Sequence, residues 1–271
     1  MGELVSRLAR VMLPGLALLI AAFLVLPALI VVPLSFSNQT YLSFPPPGWS
    51  LKWYEAMTTD LAWPQAAVNS FFIGVPTALL SSILGTMAAL AVARGRIAWA
   101  ATASAVIVAP MLLPHIIMAI GLYPVMLDLG LLRGYLGVIV SHTVVAMPLV
   151  FITVSASLRT YPETLEMAAM TCGASPWPTF RYVTLPMIRP GVMVGAVLAF
   201  ATSFDELMLS LFLTGPGTRT LPRLIWEQMN MFLTPTIAAV ATLIFAFSLL
   251  LLGLVALLQN RAGANPSFAR E

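Results

Sequence analysis

Six stretches of this sequence are each about as long and as apolar as a bilayer is thick. They cover residues 11–34, 66–93, 97–122, 136–158, 191–214 and 236–258. A hydrocarbon core of about 30 Å is crossed by ~20 apolar residues, provided that a helix satisfies their backbone groups internally. Of the 271 residues, 60% are hydrophobic and only 8% are charged, and the mean hydropathy is +0.96. A water-soluble domain carries roughly 25% charged residues. Soluble enzymes, nucleic-acid binders and disordered chains are therefore excluded. One cysteine, Cys172, rules out a disulfide framework and a cysteine-rich metal site. The expected fold is an all-α membrane protein with six transmembrane helices. The first stretch follows Arg7 and Arg10, but its 24 residues exceed the ~7–15 of a signal-peptide core, so it is expected to be an uncleaved span.

Orientation follows from the placement of lysine and arginine. With the N-terminus inside, nine basic residues fall on the inner side: Arg7, Arg10, Arg94, Arg96, Arg159, Arg181, Arg189, Arg261 and Arg270. Four fall outside: Lys52, Arg133, Arg219 and Arg223. Both termini are expected in the cytoplasm. The chain then reads as one transmembrane domain over 11–258, between a cytoplasmic N-terminus at 1–10 and a cytoplasmic tail at 259–271. A periplasmic segment occupies 35–65 and a cytoplasmic loop 159–190. The outer segment carries Pro45-Pro46-Pro47-Gly48 and then Trp53-Tyr54-Glu55. Trp and Tyr there suit the headgroup level.

The inner loop carries the most local signals. Thr160 with Glu163 three residues later forms the pattern of a capping box, with Pro162 in the first turn. A short helix is expected over 161–172, stopped at Gly173. Leu165, Ala168, Ala169 and Cys172 would share one face, and Glu163 and Glu166 another. Ser175-Pro176 opens a second short helix bearing Trp177, Phe180 and Tyr182. Leu185-Pro186 and Arg189-Pro190-Gly191 are expected to break it before the fifth span. A stiff, capped helix tied to two spans suits mechanical coupling to a cytoplasmic partner. A helix lying on the membrane surface fits the pattern about as well, although such helices carry Lys and Arg rather than two glutamates.

These residues resemble a known family. Glu166-Met167-Ala168-Ala169-Met170-Thr171-Cys172-Gly173-Ala174-Ser175-Pro176-Trp177, followed by Phe180-Arg181-Tyr182-Val183-Thr184-Leu185-Pro186, is similar to the EAA loop of ABC-importer permeases. The resemblance implies the type I importer-permease fold, in the bacterial cytoplasmic membrane. It makes the loop a coupling helix that docks on an ATP-hydrolysing subunit. Glu163, Glu166, Met167, Ala168, Ala169, Gly173 and Ala174 take the coupling places. Met167 stands where the family has a glutamate, which leaves Glu166 to supply part of that contact. Ser203-Phe204-Asp205-Glu206, Leu211–Pro222 and Pro46–Tyr54 resemble the C-type permease subunits of spermidine/putrescine importers. That resemblance implies a second, different permease subunit, two copies of an ATPase holding ATP and Mg, and a solute-binding protein.

Asp205 and Glu206 fall inside the expected fifth span, about 21 Å from its inner end at ~1.5 Å per residue. An intramembrane carboxylate costs ~2.5–3.5 kcal/mol on insertion scales, so the pair must face a cavity, a partner subunit or a counter-charge such as Arg219 or Arg223. Lining a cavity, they would favour a cationic substrate, and Trp53, Tyr54 and Glu55 would stand at the outer end of the path. A proton-coupled secondary transporter using Asp205 and Glu206 is the rival reading. His115 and His142 read as packed residues in the third and fourth spans. Pro110 and Pro114 are expected to kink the third span and Pro76 the second. Gly85 and Ala89, four apart, would let helices approach closely. The sequence holds no Gly-x-x-x-x-Gly-Lys-Ser/Thr phosphate loop and no nucleophile elbow. Energy for import is then expected from a separate ATPase.

Overall fold

The computed structural model describes residues 2–95, 98–231 and 233–263, with side chains described for 12–95, 98–231 and 233–258. Arg96 and Arg270 lie outside the described residues, as do the side chains of Arg7, Arg10 and Arg261, on which the orientation count partly rests. Five described helices are long and apolar enough to cross a membrane, and a bent helix pair makes a sixth candidate. By its contacts the chain divides into Met1–Leu61 with Ile225–Phe247, and Ala62–Leu224 with Ser248–Glu271.

In the first unit, α1 (Gly2–Ser35) runs into the segment that was expected outside the membrane. The segment folds back on the end of α1. Asn38 N–H donates to Gly48 O at 3.0 Å and Ser50 N–H to Phe36 O at 2.7 Å. The helix α2 (Lys52–Thr59) follows. Trp53 Nε1 donates to Ser37 O at 2.8 Å, and the Tyr54 hydroxyl lies 2.7 Å from Ser35 Oγ. Both aromatic residues therefore brace the return of the chain on α1, while Glu55 is exposed.

The second unit is built on three helices in mutual contact: α3 (Ala62–Arg94), α6 (Tyr135–Thr160) and α9 (Leu185–Phe204). Small residues set their spacing. A Cβ on Gly85 would lie 2.8 Å from Val150 Cβ, and Ala89 is fully buried. Gly191 and Gly195 of α9 do the same against Ser157, Thr153 and Val150 of α6. Without a hydrophobic drive between helices in lipid, such close approach is how spans gain packing energy. Pro76 leaves α3 unbroken.

The third span is broken rather than kinked. Helix α4 (Ala100–Val108) tightens into a 3₁₀ turn (Ala109–Leu112), and α5 (His115–Asp128) restarts at 103° to it. Pro114 lacks an N–H, and its ring pushes the preceding Leu113 into an extended conformation (φ −87°, ψ 137°).

The fifth span starts earlier than expected and ends earlier. A continuous helix runs from Pro176 to Phe204: α8 (Pro176–Thr179), a π-turn (Phe180–Thr184) and α9. The expected breaks at Leu185-Pro186 and Arg189-Pro190-Gly191 do not form. Leu185 N–H reaches back five residues to Phe180 O, and this π register precedes Pro186 at the start of α9. Beyond Phe204 the helix stops, and a short helix α10 (Met208–Leu213) follows. Asp205 and Glu206 are therefore not inside a span helix but in the break after it. Next come a 3₁₀ turn (Pro216–Thr218), α11 (Leu221–Met231) and α12 (Pro235–Gly263).

Candidate functional site

The break after α9 gathers the chemistry. Asp205 takes the C-cap position, its N–H donating to Ala201 O at 3.1 Å. Glu206 follows, and its Oε1 accepts the Leu209 N–H at 3.0 Å, a local bond that competes with continued helix. Glu206 Oε2 lies 2.6 Å from His115 Nδ1. His115 is the first residue of α5, just past the Pro114 break. Its side chain is 39% exposed, that of Glu206 only 5%. On α6, His142 Nδ1 lies 2.8 Å from Ser203 Oγ, in the last turn of α9.

The two carboxylates differ in kind. Glu206 is buried and carries two partners, while Asp205 is exposed and its carboxylate has none among the described residues. Both border a cavity of about 470 Å³ that His115, Thr202 and Met208 also line. The partner beside Glu206 Oε2 is His115, and Arg223 Nη1 donates to Thr214 O and Oγ1, both at 2.6 Å.

The stretch 211–222 clamps one end of the unit. Asn69 of α3 donates to Gly217 O at 3.1 Å and Arg219 O at 2.8 Å. The Tyr135 hydroxyl reaches Asn69 Oδ1 at 2.8 Å, and Leu221 N–H donates to Ser70 Oγ at 2.9 Å. At the other end of α6, a cavity of about 810 Å³ opens beside Arg94, Ser155, Arg159 and Tyr161.

The α6–α8 connection departs from the expected capping box. Thr160 is the last residue of α6 and its Oγ1 donates to Ser157 O at 2.9 Å, so it caps nothing. Tyr161 is extended (φ −105°, ψ 117°) because Pro162 follows it, and its ring is buried. Burial, with the nearby Glu166 carboxylate behind it, pushes the Tyr161 phenol pKa up. Helix α7 spans Thr164–Thr171 with Glu163 at its N-cap, shorter than the expected 161–172. Gly173 does end it, at φ +89°. Its N–H donates to Met170 O at 3.0 Å and the Ala174 N–H to Ala169 O at 3.1 Å, the paired bonds of a Schellman stop.

Glu163 and Glu166 do not share a face. Glu163 is exposed, whereas Glu166 is 8% exposed and turned inward. It pairs with Arg94 Nε at 3.3 Å and accepts from Thr184 Oγ1 at 3.1 Å. The expected face is likewise mixed, with Leu165 and Ala169 half-buried and Ala168 and Cys172 exposed. Met167 and Met170 are exposed at 47% and 46%, and Ala174 is half-buried. Sequence reasoning missed Arg94, Thr184 and the His115–Glu206 pair. Each joins residues at least 18 positions apart, which no local pattern marks.

Residues 81–263 match the family described as binding-protein-dependent transport system inner membrane component. The chain belongs to that family. It is 35% identical over 229 residues to the putrescine transport system permease protein PotI of Escherichia coli (strain K12), covering 82% of this chain and 81% of that protein. It is 30% identical over 244 residues to the spermidine/putrescine transport system permease protein PotC of the same strain, covering 90% and 92%. In fold it is similar to a crystal structure of a bacterial ABC transporter involved in the import of the acidic polysaccharide alginate. The TM-score there is 0.73 at 16% identity, over 92% of this chain and 96% of the other. This permease is thus a multi-pass inner-membrane protein of the ABC-importer class. Family membership decides against the proton-coupled carrier.

Proposed function

We propose that this permease forms half of the translocation path of an ATP-driven importer of polyamines, with putrescine or spermidine as cargo. The observation that carries the substrate class is the open carboxylate of Asp205 in the 470 Å³ cavity. An alkylammonium group leaving water finds there a carboxylate that has no partner among the described residues. The cargo of the two Escherichia coli relatives, which their names state, supports the same class.

The other half is a second, different permease. Two copies of an ATPase hold ATP and Mg, and a solute-binding protein delivers the cargo. Both termini face the cytoplasm, and the segment bearing Trp53, Tyr54 and Glu55 meets the binding protein. The α7 region docks on the ATPase, with Glu163, Met167, Ala168, Gly173 and Ala174 in reach of it and Ala169 packed beneath. The exposed Met167, Ala168 and Met170 favour an apolar groove as its seat. ATP binding moves α7, and the three-helix core carries the motion to the cavity.

The test is uptake of labelled putrescine into proteoliposomes holding the two permeases and the ATPase. Uptake that needs ATP, the binding protein and this chain supports the reading. Binding-protein-dependent uptake of an anionic or neutral solute, with none of putrescine or spermidine, overturns the substrate class.

A further inference from the structure

Arg94 is the last residue of α3, and it holds α7 by a carboxylate that α7 turns away from solvent. Its Nε lies 3.3 Å from Glu166 Oε2, and the side chains are 20% and 11% exposed. Its Nη2 donates to Tyr161 O at 3.2 Å, and the guanidinium lies over the Tyr161 ring, 5.6 Å from the centroid. Glu166 Oε1 also accepts the Thr184 hydroxyl at 3.1 Å. Thr184 is the last residue of the π-turn that precedes α9. One carboxylate therefore ties α7 to two spans at once, to α3 through Arg94 and to the head of α9 through Thr184.

Besides this carboxylate, α7 packs through the half-buried Leu165 and Ala169. It is eight residues long, too short to be a stable helix on its own. Leu165 packs on the core around Leu158, Tyr161 and Ile188, while Met167, Ala168, Met170 and Cys172 are exposed. The π-turn is a place where the helical ladder is already off register, and such turns recur at functional positions. A push on α7 reaches α3 and α9 most directly through groups that are partly desolvated and charged, where a displaced partner leaves an uncompensated charge.

We propose that Arg94, acting through Glu166 and Thr184, is a positioning residue that makes movement of α7 move α3 and the π-turn of α9. Glu166 is then an internal strut of the loop and not a docking contact. This rests on the reading of α7 as the ATPase-docking element.

The experiment uses the full assembly in nanodiscs, with Thr202→Cys as a reporter in the cavity wall and Cys172→Ser to remove the exposed thiol. The rate of reaction with a soluble maleimide is read with and without trapping of the ATPase by ATP and vanadate. Trapping is expected to change the rate about fivefold in the parent and less than about twofold in Arg94→Gln and Glu166→Gln, with ATPase still attached. The reversed pair Arg94→Glu/Glu166→Arg is expected to recover most of the change. Thr184→Val, which removes one hydrogen bond and keeps shape, should give an intermediate response. A full response in Arg94→Gln or in Thr184→Val overturns the proposal. So does a reversed pair that stays at the Arg94→Gln level while ATPase copurifies. A parent chain that brings down no ATPase overturns the docking reading itself, which is a different failure.

Discussion

His115 Nδ1 lies 2.6 Å from Glu206 Oε2, and each residue stands at a place where a long helix of this chain breaks. His115 opens α5 after the Pro114 break, and Glu206 follows the end of α9. The pair thus pins two interrupted helices to one point of the cavity wall. Freed backbone groups at such breaks are tolerated in a membrane where they line a cavity. Glu206 is thus partnered within the wall, while the Asp205 carboxylate has no partner among the described residues.

The first prediction concerns that pin. His115→Gln keeps a donor near Glu206, while His115→Leu removes it and leaves a buried carboxylate short of one partner. Hydrogen bonds to charged groups contribute roughly 1.5–3 kcal/mol, and the partial exposure of His115 brings the expected loss to about 1 kcal/mol. Thermal denaturation of the purified permease pair should fall by about 2–4 °C in His115→Leu and by less in His115→Gln. Equal midpoints in the two variants would remove the pin.

Asp205 carries the second. Asp205→Asn preserves shape and removes the charge that would meet an ammonium group. Putrescine uptake at low concentration should drop about tenfold, the loss of one charge-assisted contact, with assembly unchanged on size-exclusion chromatography. Undiminished uptake at that concentration would take Asp205 out of the path.

Gly173 gives a third, of conformational origin. Its φ of +89° suits glycine, and nothing lies within 4 Å of the site a Cβ would occupy. Substitution therefore meets strain and not collision. Gly173→Val should cost about 1–3 kcal/mol in the loop and loosen the stop of α7, while Gly173→Asn, more at home at positive φ, should cost less. ATPase stimulation by the loaded binding protein is the readout, expected to fall more for Val than for Asn. The reverse order would detach the stop from coupling.

The fourth tests the helix spacing. A Cβ on Gly195 would fall 2.9 Å from Val150 Cα and 2.5 Å from Thr153 Oγ1. Gly195→Leu should separate α9 from α6 at a cost of about 1–3 kcal/mol or more, seen as lower yield and lower melting temperature. Gly121→Leu is the control, since nothing lies within 4 Å of a Cβ there. Matching behaviour of the two would mean that close packing at Gly195 contributes little.

Asn69 supports the fifth. Asn69→Ala removes two hydrogen bonds, those to the Gly217 and Arg219 carbonyls, while Gly217 O keeps the Tyr135 hydroxyl at 3.2 Å, for an expected loss of about 1–2 kcal/mol. Faster proteolysis within 211–222 in detergent should accompany it, and unchanged proteolysis would show that the clamp holds without Asn69.

What could be read from the sequence followed from local rules. Apolar length marked the spans, though not the bounds of the fifth, because lipid offers backbone groups no partners, and Gly173 marked the end of α7 because a left-handed stop favours a residue without a Cβ. The Pro110 and Pro114 positions located the third-span break, though not its 103° size. Where local rules misled, a longer-range contact had won. Thr160 carried a sound capping pattern, yet α6 absorbed it, since the buried Tyr161 ring and the Pro162 restriction put the turn one residue later. Two prolines argued for a break before the fifth span, and a π-turn carried the helix through. Asp205 and Glu206 read as two intramembrane carboxylates of one span; packing made Glu206 a buried partner of His115 and left Asp205 open. By itself, the sequence determined that this is a six-stretch membrane chain with a short loop helix stopped at Gly173 and an EAA-like pattern, because each of those depends on nearby residues. Only the tertiary structure decided that Glu166 faces Arg94 and Glu206 faces His115, because the energy of a buried charge depends on what the fold brings beside it from distant parts of the chain.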